Sequence, residues 1–238
     1  MAQRAYVFLA AIFLLSAATV RADLIIDQFN TPDDQSLKVT SKPSQTVDTN
    51  VTQASSAIGG WRDISLHEVA GQPMYVDVFS DPGSGLYFSQ GTGQAYTIVT
   101  WAGADTSNGP LYDLNANLTI GGDNSFLLNV IGLTGTGIDV TMTVYSNGGA
   151  NSSTMTTPFP VTNTGEIPLL FSGLSGNADL TDVNAIVMEL SGVGHAGSDI
   201  AISSLTTTTT TSPEPSTLVL AAMGVVALLG VGRKWRKA

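Results

Sequence analysis

Few side chains in this chain of 238 residues suit acid–base or nucleophilic chemistry. Cysteine is absent, which excludes a thiol nucleophile, a zinc knuckle and any disulfide framework. The only imidazoles are His67 and His195. His67-Glu68 begins like the helical zinc-protease motif, in which a second histidine four residues on completes the metal face; Gly71 stands there instead. His67 therefore reads as a surface or strand-edge histidine. His195 lies in Gly192-Val193-Gly194-His195-Ala196-Gly197, a glycine-rich loop, and reads the same way. Neither a Gly-x-Ser-x-Gly elbow nor a phosphate loop ending in Gly-Lys-Ser/Thr occurs. Gly132-Leu133-Thr134-Gly135-Thr136-Gly137 lacks the order of a dinucleotide fingerprint and reads as a hairpin loop.

Glycoside hydrolysis would need two carboxylates flanking a scissile bond. The glutamates of the central region are Glu68, Glu166 and Glu189, and Glu189 interrupts an apolar run, as a residue on the solvent face of a strand would. The balance favours a non-catalytic protein, with a secreted glycoside hydrolase as the alternative. Two constellations are left for binding. Arg62 is the one arginine between the two ends of the chain, and Trp61 and Asp63 flank it. A guanidinium beside an indole can clamp a sugar or a carboxylate. The same arginine can instead form an ion pair that ties two strands together. Asp77, Asp81, Asp105, Asp113 and Asp123 fall among turn residues. Hard oxygen ligands from such loops bind Ca²⁺. No twelve-residue EF-hand spacing is present, and ordinary Asx turns use the same residues. No other cofactor is implied.

The elements that must position these residues are strands. Gly, Ser, Thr, Asn and Asp are abundant while Lys and Glu are scarce, which disfavours helices. Short apolar runs recur between turn clusters, at Leu24–Phe29, Trp61–Val69, Met74–Phe79, Leu86–Phe88, Ala95–Trp101, Asn117–Ile120, Ser125–Ile131, Ile167–Phe171, Ala185–Leu190 and Ile200–Leu205. Val140–Tyr145 alternates with period two, as a half-buried strand does. About ten strands at this spacing predict an all-β, jelly-roll-like β-sandwich over residues 23–205. Asp179 is placed to cap a single helical turn. The formal net charge is −10, and between Asp23 and Ser212 the basic residues are Lys38, Lys42 and Arg62. Such an acidic body repels a phosphate backbone, so nucleic acid is excluded as a partner.

The two ends are different in kind. Arg4, the apolar stretch Ala5–Ala18 and Val20-Arg21-Ala22 form the n-region, h-region and cleavage site of a signal peptide spanning residues 1–22. Signal peptidase and the secretion machinery are the implied partners, and mature protein would start at Asp23. At the other end, Thr206–Thr211 and Ser212 read as a stalk over 206–212. Then come Pro213-Glu214-Pro215, an apolar stretch from Thr217 to Gly232, and Arg233-Lys234-Trp235-Arg236-Lys237. As a helix the apolar stretch is long enough to reach roughly across a ~30 Å hydrocarbon core. Arg233, Lys234, Arg236 and Lys237 would stop it on the cytoplasmic side of the membrane.

This order of parts, a Pro-Glu-Pro box, an apolar helix and a terminal basic cluster, resembles the PEP-CTERM sorting signal over 213–238. The resemblance implies processing by an exosortase-type transpeptidase in a bacterium that makes exopolysaccharide. It also implies an intermediate anchored in the inner membrane, facing the periplasm and bound for the cell surface or extracellular matrix. The body resembles, more loosely, galactose-binding-like and carbohydrate-binding-module jelly rolls. That resemblance rests on Ile25-Ile26-Asp27-Gln28-Phe29, Gly59-Gly60-Trp61-Arg62-Asp63, Phe171-Ser172-Gly173-Leu174, Asp179–Val183 and Asp199–Ser203. It implies that the first and last strands lie side by side, and it points to exopolysaccharide as a ligand.

Overall fold

The structure, a computed structural model, describes residues 23–30, 37–39, 46–48, 52–71, 74–79, 85–103, 112–162 and 164–210. The signal peptide expected over 1–22 and the sorting segment expected over 213–238 lie outside the described residues. Among those described, no helix is long and apolar enough to cross a membrane.

The strands, in chain order, are β1 (Ile25–Asp27), β2 (Leu37–Val39), β3 (Thr46–Asp48), β4 (Thr52–Gln53), β5 (Trp61–Ala70), β6 (Met74–Phe79), β7 (Gly85–Ser89), β8 (Gln94–Trp101), β9 (Ser125–Thr134), β10 (Ile138–Ser146), β11 (Asn151–Phe159), β12 (Gly165–Leu170), β13 (Ser175–Gly176), β14 (Val183–Ser191) and β15 (Asp199–Thr208). They form two antiparallel sheets. The seven-stranded sheet runs β12-β9-β15-β7-β6-β2, with β1 also on β15; the eight-stranded sheet runs β13-β11-β10-β14-β8-β5-β3, with β4 also on β5. One edge of β15 follows β9 along its length. The other edge is shared, by β7 at Asp199–Ile202 and by β1 at Leu205–Thr206. First and last strands are therefore neighbours, as the resemblance implied, and the fold is the expected all-β sandwich.

Strict alternation builds the core. Along β8 and β10 every second residue is buried, so Ala95, Thr97, Val99 and Trp101 face inward with Ile138, Val140, Met142 and Val144. From the opposite sheet come Phe88, Phe126, Leu86 and Leu128, all fully buried. Each large apolar side chain removed from water contributes about 1.5–3 kcal/mol. The double glycine before β5 is required by its backbone, since Gly59 and Gly60 have φ of 72° and 76°, a region that disfavours a Cβ. That turn delivers Trp61 in the phase that puts Arg62, Ile64, Leu66 and Glu68 inward.

One polar assembly crosses the core. Asp27 on β1 is fully buried, as is Arg62 on β5. Oδ2 of Asp27 accepts from Arg62 Nη1 at 2.7 Å and from Trp101 Nε1 at 2.9 Å. Its Oδ1 accepts from the Phe29 amide at 2.8 Å and from the Ser56 hydroxyl at 3.0 Å. The Arg62 guanidinium also lies 5.4 Å from the centre of the Phe29 ring. Asp27 belongs to the seven-stranded sheet, while Arg62 and Trp101 belong to the eight-stranded one, so one carboxylate joins the two layers.

The structure departs from the sequence reading in several places, the short strands β2, β3, β4 and β13 among them. Asn117–Ile120 is no strand: the Asn117 side chain accepts from the Thr119 amide and hydroxyl, and Ile120–Gly122 form a 3-10 turn. Local side-chain hydrogen bonds outcompete a ladder there. Asp179 likewise closes an Asx turn on Thr181 rather than capping a helix. β11 was not anticipated, because its Ser/Thr-rich sequence carries little apolar alternation; its place is fixed by nine consecutive partners on β10. The body also runs past Leu205, since Thr206–Thr208 are rungs of β15.

Removing one partner from a buried ion pair strands the other charge, at a cost of about 3–5 kcal/mol. Asp27→Ala or Arg62→Leu, in a fragment spanning residues 23–210, should each lower stability by that order in urea denaturation. The double variant should cost clearly less than the sum, because no lone charge remains.

Candidate functional site

The outer face of the eight-stranded sheet gathers the polar and aromatic side chains that alternate with the core. Register places them in rows. One row reads Thr156, Thr141, Glu189, Ile98 and Ser65 across β11, β10, β14, β8 and β5. The next on one side reads Pro158, Asp139, Ser191, Tyr96, His67 and Thr46. On the other side run Thr154, Thr143, Val187, Thr100 and Asp63.

Within these rows the side chains are locked to one another. The Tyr96 and His67 rings stack with centroids 4.5 Å apart and planes 5° apart. His67 Nδ1 lies 3.1 Å from the Thr46 hydroxyl and Nε2 lies 2.9 Å from that of Ser65. Both ring nitrogens are thus occupied, and the imidazole serves as a rigid plate. Thr141 pairs with Thr156 and Thr143 with Thr154 through their hydroxyls. Tyr145 packs on Tyr112 at 5.4 Å. His195 Nε2 sits 3.6 Å from Asp139 Oδ1, at the end of this face.

Glu189 stands in the middle. It is half-buried, with apolar Ile98 as its neighbour on β8. Burial pushes its carboxyl above the usual carboxylate range. Tyr96 lies diagonally across the β14–β8 pair from it. A half-buried carboxyl beside an aromatic plate and a field of hydroxyls is a natural acceptor for ligand hydroxyl groups.

The structure parts the residues that the sequence grouped. Trp61 and Asp63 are half-buried on the outer side of β5, while Arg62 points into the core and spends its charge on Asp27. Of the turn aspartates, Asp123 is buried and accepts from the Thr207 hydroxyl and, at 3.1 Å, from that of Thr209. Asp77 is on the far sheet and Asp113 is in an exposed loop. Asp81 and Asp105 lie outside the described residues, as do Pro213, Glu214 and Pro215 and the basic cluster Arg233, Lys234, Arg236 and Lys237. Among the described residues no group of three or more His, Asp or Glu side chains is placed to hold a metal ion. Tyr96, Tyr145 and Glu189 were not picked out as a site in the sequence. Their signal was an aromatic or acidic residue on the polar phase of an alternating strand.

The outer face of the seven-stranded sheet also carries aromatics. Tyr75 and Tyr87 lie 5.3 Å apart, and burial, the hydrogen bond to Tyr75 and the nearby Asp199 push the Tyr87 hydroxyl up to about 12. Asp199 there accepts from Ser89 at 2.5 Å and Thr134 at 3.1 Å. Its polar groups satisfy one another.

A carboxyl whose pKa is raised by folding adds stability below its unfolded pKa, and that stability is lost as pH rises through the folded value. Glu189→Gln should therefore stabilise the fold at about pH 7 and leave it unchanged well below about pH 4, where the native carboxyl is protonated in both states. Urea midpoints at the two pH values measure the difference.

Comparison with known proteins adds the following. Among solved structures, the chain is similar to the family 11 carbohydrate-binding module of a cellulosomal cellulase of Clostridium thermocellum, at 11% identity and a TM-score of 0.41, covering 79% of this chain and 95% of that one. It is also similar to that family's module from the same organism in complex with a beta-1,3-1,4-mixed-linked tetrasaccharide, at 13% identity and a TM-score of 0.40, with the same coverages. An agarase is similar at 11% identity and a TM-score of 0.43 over 83% of this chain, which spans 26% of the agarase. No curated protein matches the chain. Residues 213–237 match the PEP-CTERM protein-sorting motif, so the chain carries that signal at the end of a β-sandwich.

Proposed function

We propose that this is an exported, exosortase-sorted, non-catalytic surface or matrix protein whose eight-stranded sheet binds a neutral polysaccharide on its outer face. The observation that carries the binding reading is the placement of Glu189. It sits on a half-buried row of hydroxyl side chains, flanked by Ile98 and diagonal to the Tyr96–His67 plate. Aromatic faces pack against the apolar faces of sugar rings, and the carboxyl and threonine oxygens accept from sugar hydroxyls. Trp61 and Asp63 extend the face along β5, with Arg62 bracing the strand from behind. Asp63, Asp139 and Glu189 make the face acidic, which favours a neutral polymer over an anionic one.

A glycoside hydrolase is the second reading. Asp139 and Glu189 lie on adjacent strands with Glu189 opposite Thr141, so the two carboxylates are diagonal neighbours. Such a diagonal is roughly 7–8 Å from backbone to backbone, and two carboxyls on one face are the groups that hydrolysis of a glycosidic bond requires. A panel of neutral polysaccharides, scored for both binding and release of reducing ends, separates the readings. Binding without release is expected, and Tyr96→Ala should weaken it about tenfold, or about 1.4 kcal/mol. Reducing-end release that Glu189→Gln abolishes would make the protein an enzyme. No binding to any polymer, or binding that Tyr96→Ala leaves intact, would remove this face as the site.

The sorting half of the proposal rests on the motif at 213–237. Signal peptidase would release the N-terminal segment over 1–22. The apolar run would then hold the chain in the inner membrane, facing the periplasm, until an exosortase cuts near the box. Pro213 and Pro215 lack amide donors and restrict the residues before them, so a helix cannot run through the box into the threonines. Replacing Pro213-Glu214-Pro215 with alanines should leave export intact but stop C-terminal processing, so that uncut protein accumulates in the inner membrane. Immunoblots of cell fractions, with antibodies to the tail and to the body, read this directly. Normal trimming of that variant would reduce the tail to a plain membrane anchor.

A further inference from the structure

Seven large apolar side chains are exposed among the described residues, and three of them mark one corner. Ile25, Ile120 and Leu170 are 45%, 52% and 46% exposed, and all three lie around the place where the chain leaves the sandwich. Register defines the patch. Ile25, Thr206, Leu127 and Pro168 form one row across β1, β15, β9 and β12. In the next position along, Thr208, Ser125 and Leu170 follow one another across β15, β9 and β12. Ile120 begins the turn that leads into Asp123.

The exit itself is clamped. Asp123 accepts from the hydroxyls of Thr207 and Thr209, and the Asn124 side chain accepts from the Thr210 amide and hydroxyl, each at 2.9 Å. The Asn124 amide donates to the Thr208 carbonyl at 3.0 Å, and the Thr207 amide donates to the Leu24 carbonyl at 2.8 Å. The threonines read as a stalk are thus part of the body as far as Thr210. Beyond it only Thr211–Ser216 precede the apolar run that starts at Thr217. Even fully extended, the steps from Thr210 to Thr217 reach at most about 25 Å.

We infer that this corner of the sandwich, with Ile25, Ile120, Leu127, Pro168 and Leu170, rests on the surface of a zwitterionic lipid bilayer while the chain is anchored. The inference depends on the anchoring role proposed above for the apolar run. The short tether keeps the corner at the membrane, and the apolar side chains gain by entering the interfacial layer. Charge does not drive the contact. No basic side chain is among the described residues named here, Asp123 is spent on threonines, and the exposed acids Asp23 and Glu166 stand at the margin. The contact is therefore insensitive to salt, unlike that of a polybasic patch on anionic lipid. Its effect is to hold the Pro213–Pro215 box against the membrane instead of at the end of a loose stalk.

The absence of native cysteine makes the test clean. Leu170→Cys, Ile120→Cys and, on the outer face of the other sheet, Thr154→Cys are introduced one at a time into the full chain. Each is labelled with a fluorophore, and the protein is reconstituted into phosphatidylcholine vesicles containing a shallow spin-labelled quencher lipid. Quenching several-fold stronger at positions 170 and 120 than at 154, and unchanged between low and high salt, is the expected result. Adding Ile25→Ser should weaken quenching at 120 while leaving flotation with vesicles unchanged. Equal quenching at the three positions in protein that floats overturns the docking inference and leaves the anchor standing. If the full chain floats no better than a chain ending at Thr210, the anchoring reading fails and the docking falls with it. If unlabelled Leu170→Cys chains form disulfide-linked pairs while position 170 stays unquenched, the patch covers a second copy instead.

Discussion

The buried Asp27 carboxylate is the constraint on which the rest of this sandwich depends. A cysteine-free exported domain has no covalent bond to hold its two sheets in register, and here Asp27 reaches across to Arg62 and Trp101 while the Phe29 amide and the Ser56 hydroxyl complete its set of donors. Taking both charges out of water is expensive, and the arrangement holds only because the carboxylate accepts four donors. The consequence reaches the surface. Once Arg62 is committed inward, the period of two forces Trp61, Asp63, Ser65 and His67 outward. A slip of one residue in β5 would bury His67 and Asp63 and expose Leu66 and Ile64. The composition of the candidate face is thus set by a bond on the opposite side of the strand.

Much of this was legible in the sequence wherever apolar and polar residues alternate. Val140–Tyr145 carries the period of two openly and became the middle of β10, while Ala95–Trp101 stands out as an apolar run and became the greater part of β8. β11 was hidden because its residues are mostly Ser and Thr, which satisfy themselves laterally through hydroxyl pairs rather than by burial. Arg62 was legible as an unusual residue, and the sequence left open whether it clamps a ligand or ties strands. What decides its role is Asp27, a residue 35 positions away whose approach depends on β1 pairing with β15. Glu189 shows the same limit. Its alternation placed it on the outer side of a strand, but only the pairing of β14 with β8 sets Ile98 and Tyr96 around it.

The two outer faces differ in how they satisfy their polar groups. On the seven-stranded sheet, Asp199 is taken by the hydroxyls of Ser89 and Thr134, and Tyr87 by Tyr75. On the eight-stranded sheet, the threonine pairs and the His67 plate are equally closed, but Glu189 has lost hydration with burial as the cause of its shift. A group that has paid desolvation without an internal partner gains most when a ligand supplies one. That asymmetry, rather than the number of aromatics, is what favours the eight-stranded sheet as the proposed binding face.

The sorting tail continues from a particular strand, and the choice has a mechanical meaning. β15 is not an edge: β9 bonds one side along nearly its whole length, and β7 and β1 divide the other. A tail leaving an edge strand would be secured by one ladder, which a pull can open rung by rung. A tail leaving an interior strand along its own direction loads both ladders together. Asp123 and Asn124 then extend that grip beyond the last rung by holding the side chains of Thr207, Thr209 and Thr210. Threonine suits this position because it is β-branched enough to stay extended and carries a hydroxyl for the clamp to hold. Thr206–Thr210, which a sequence reading takes for a loose stalk, are held to the body by ladder rungs and by these side-chain clamps.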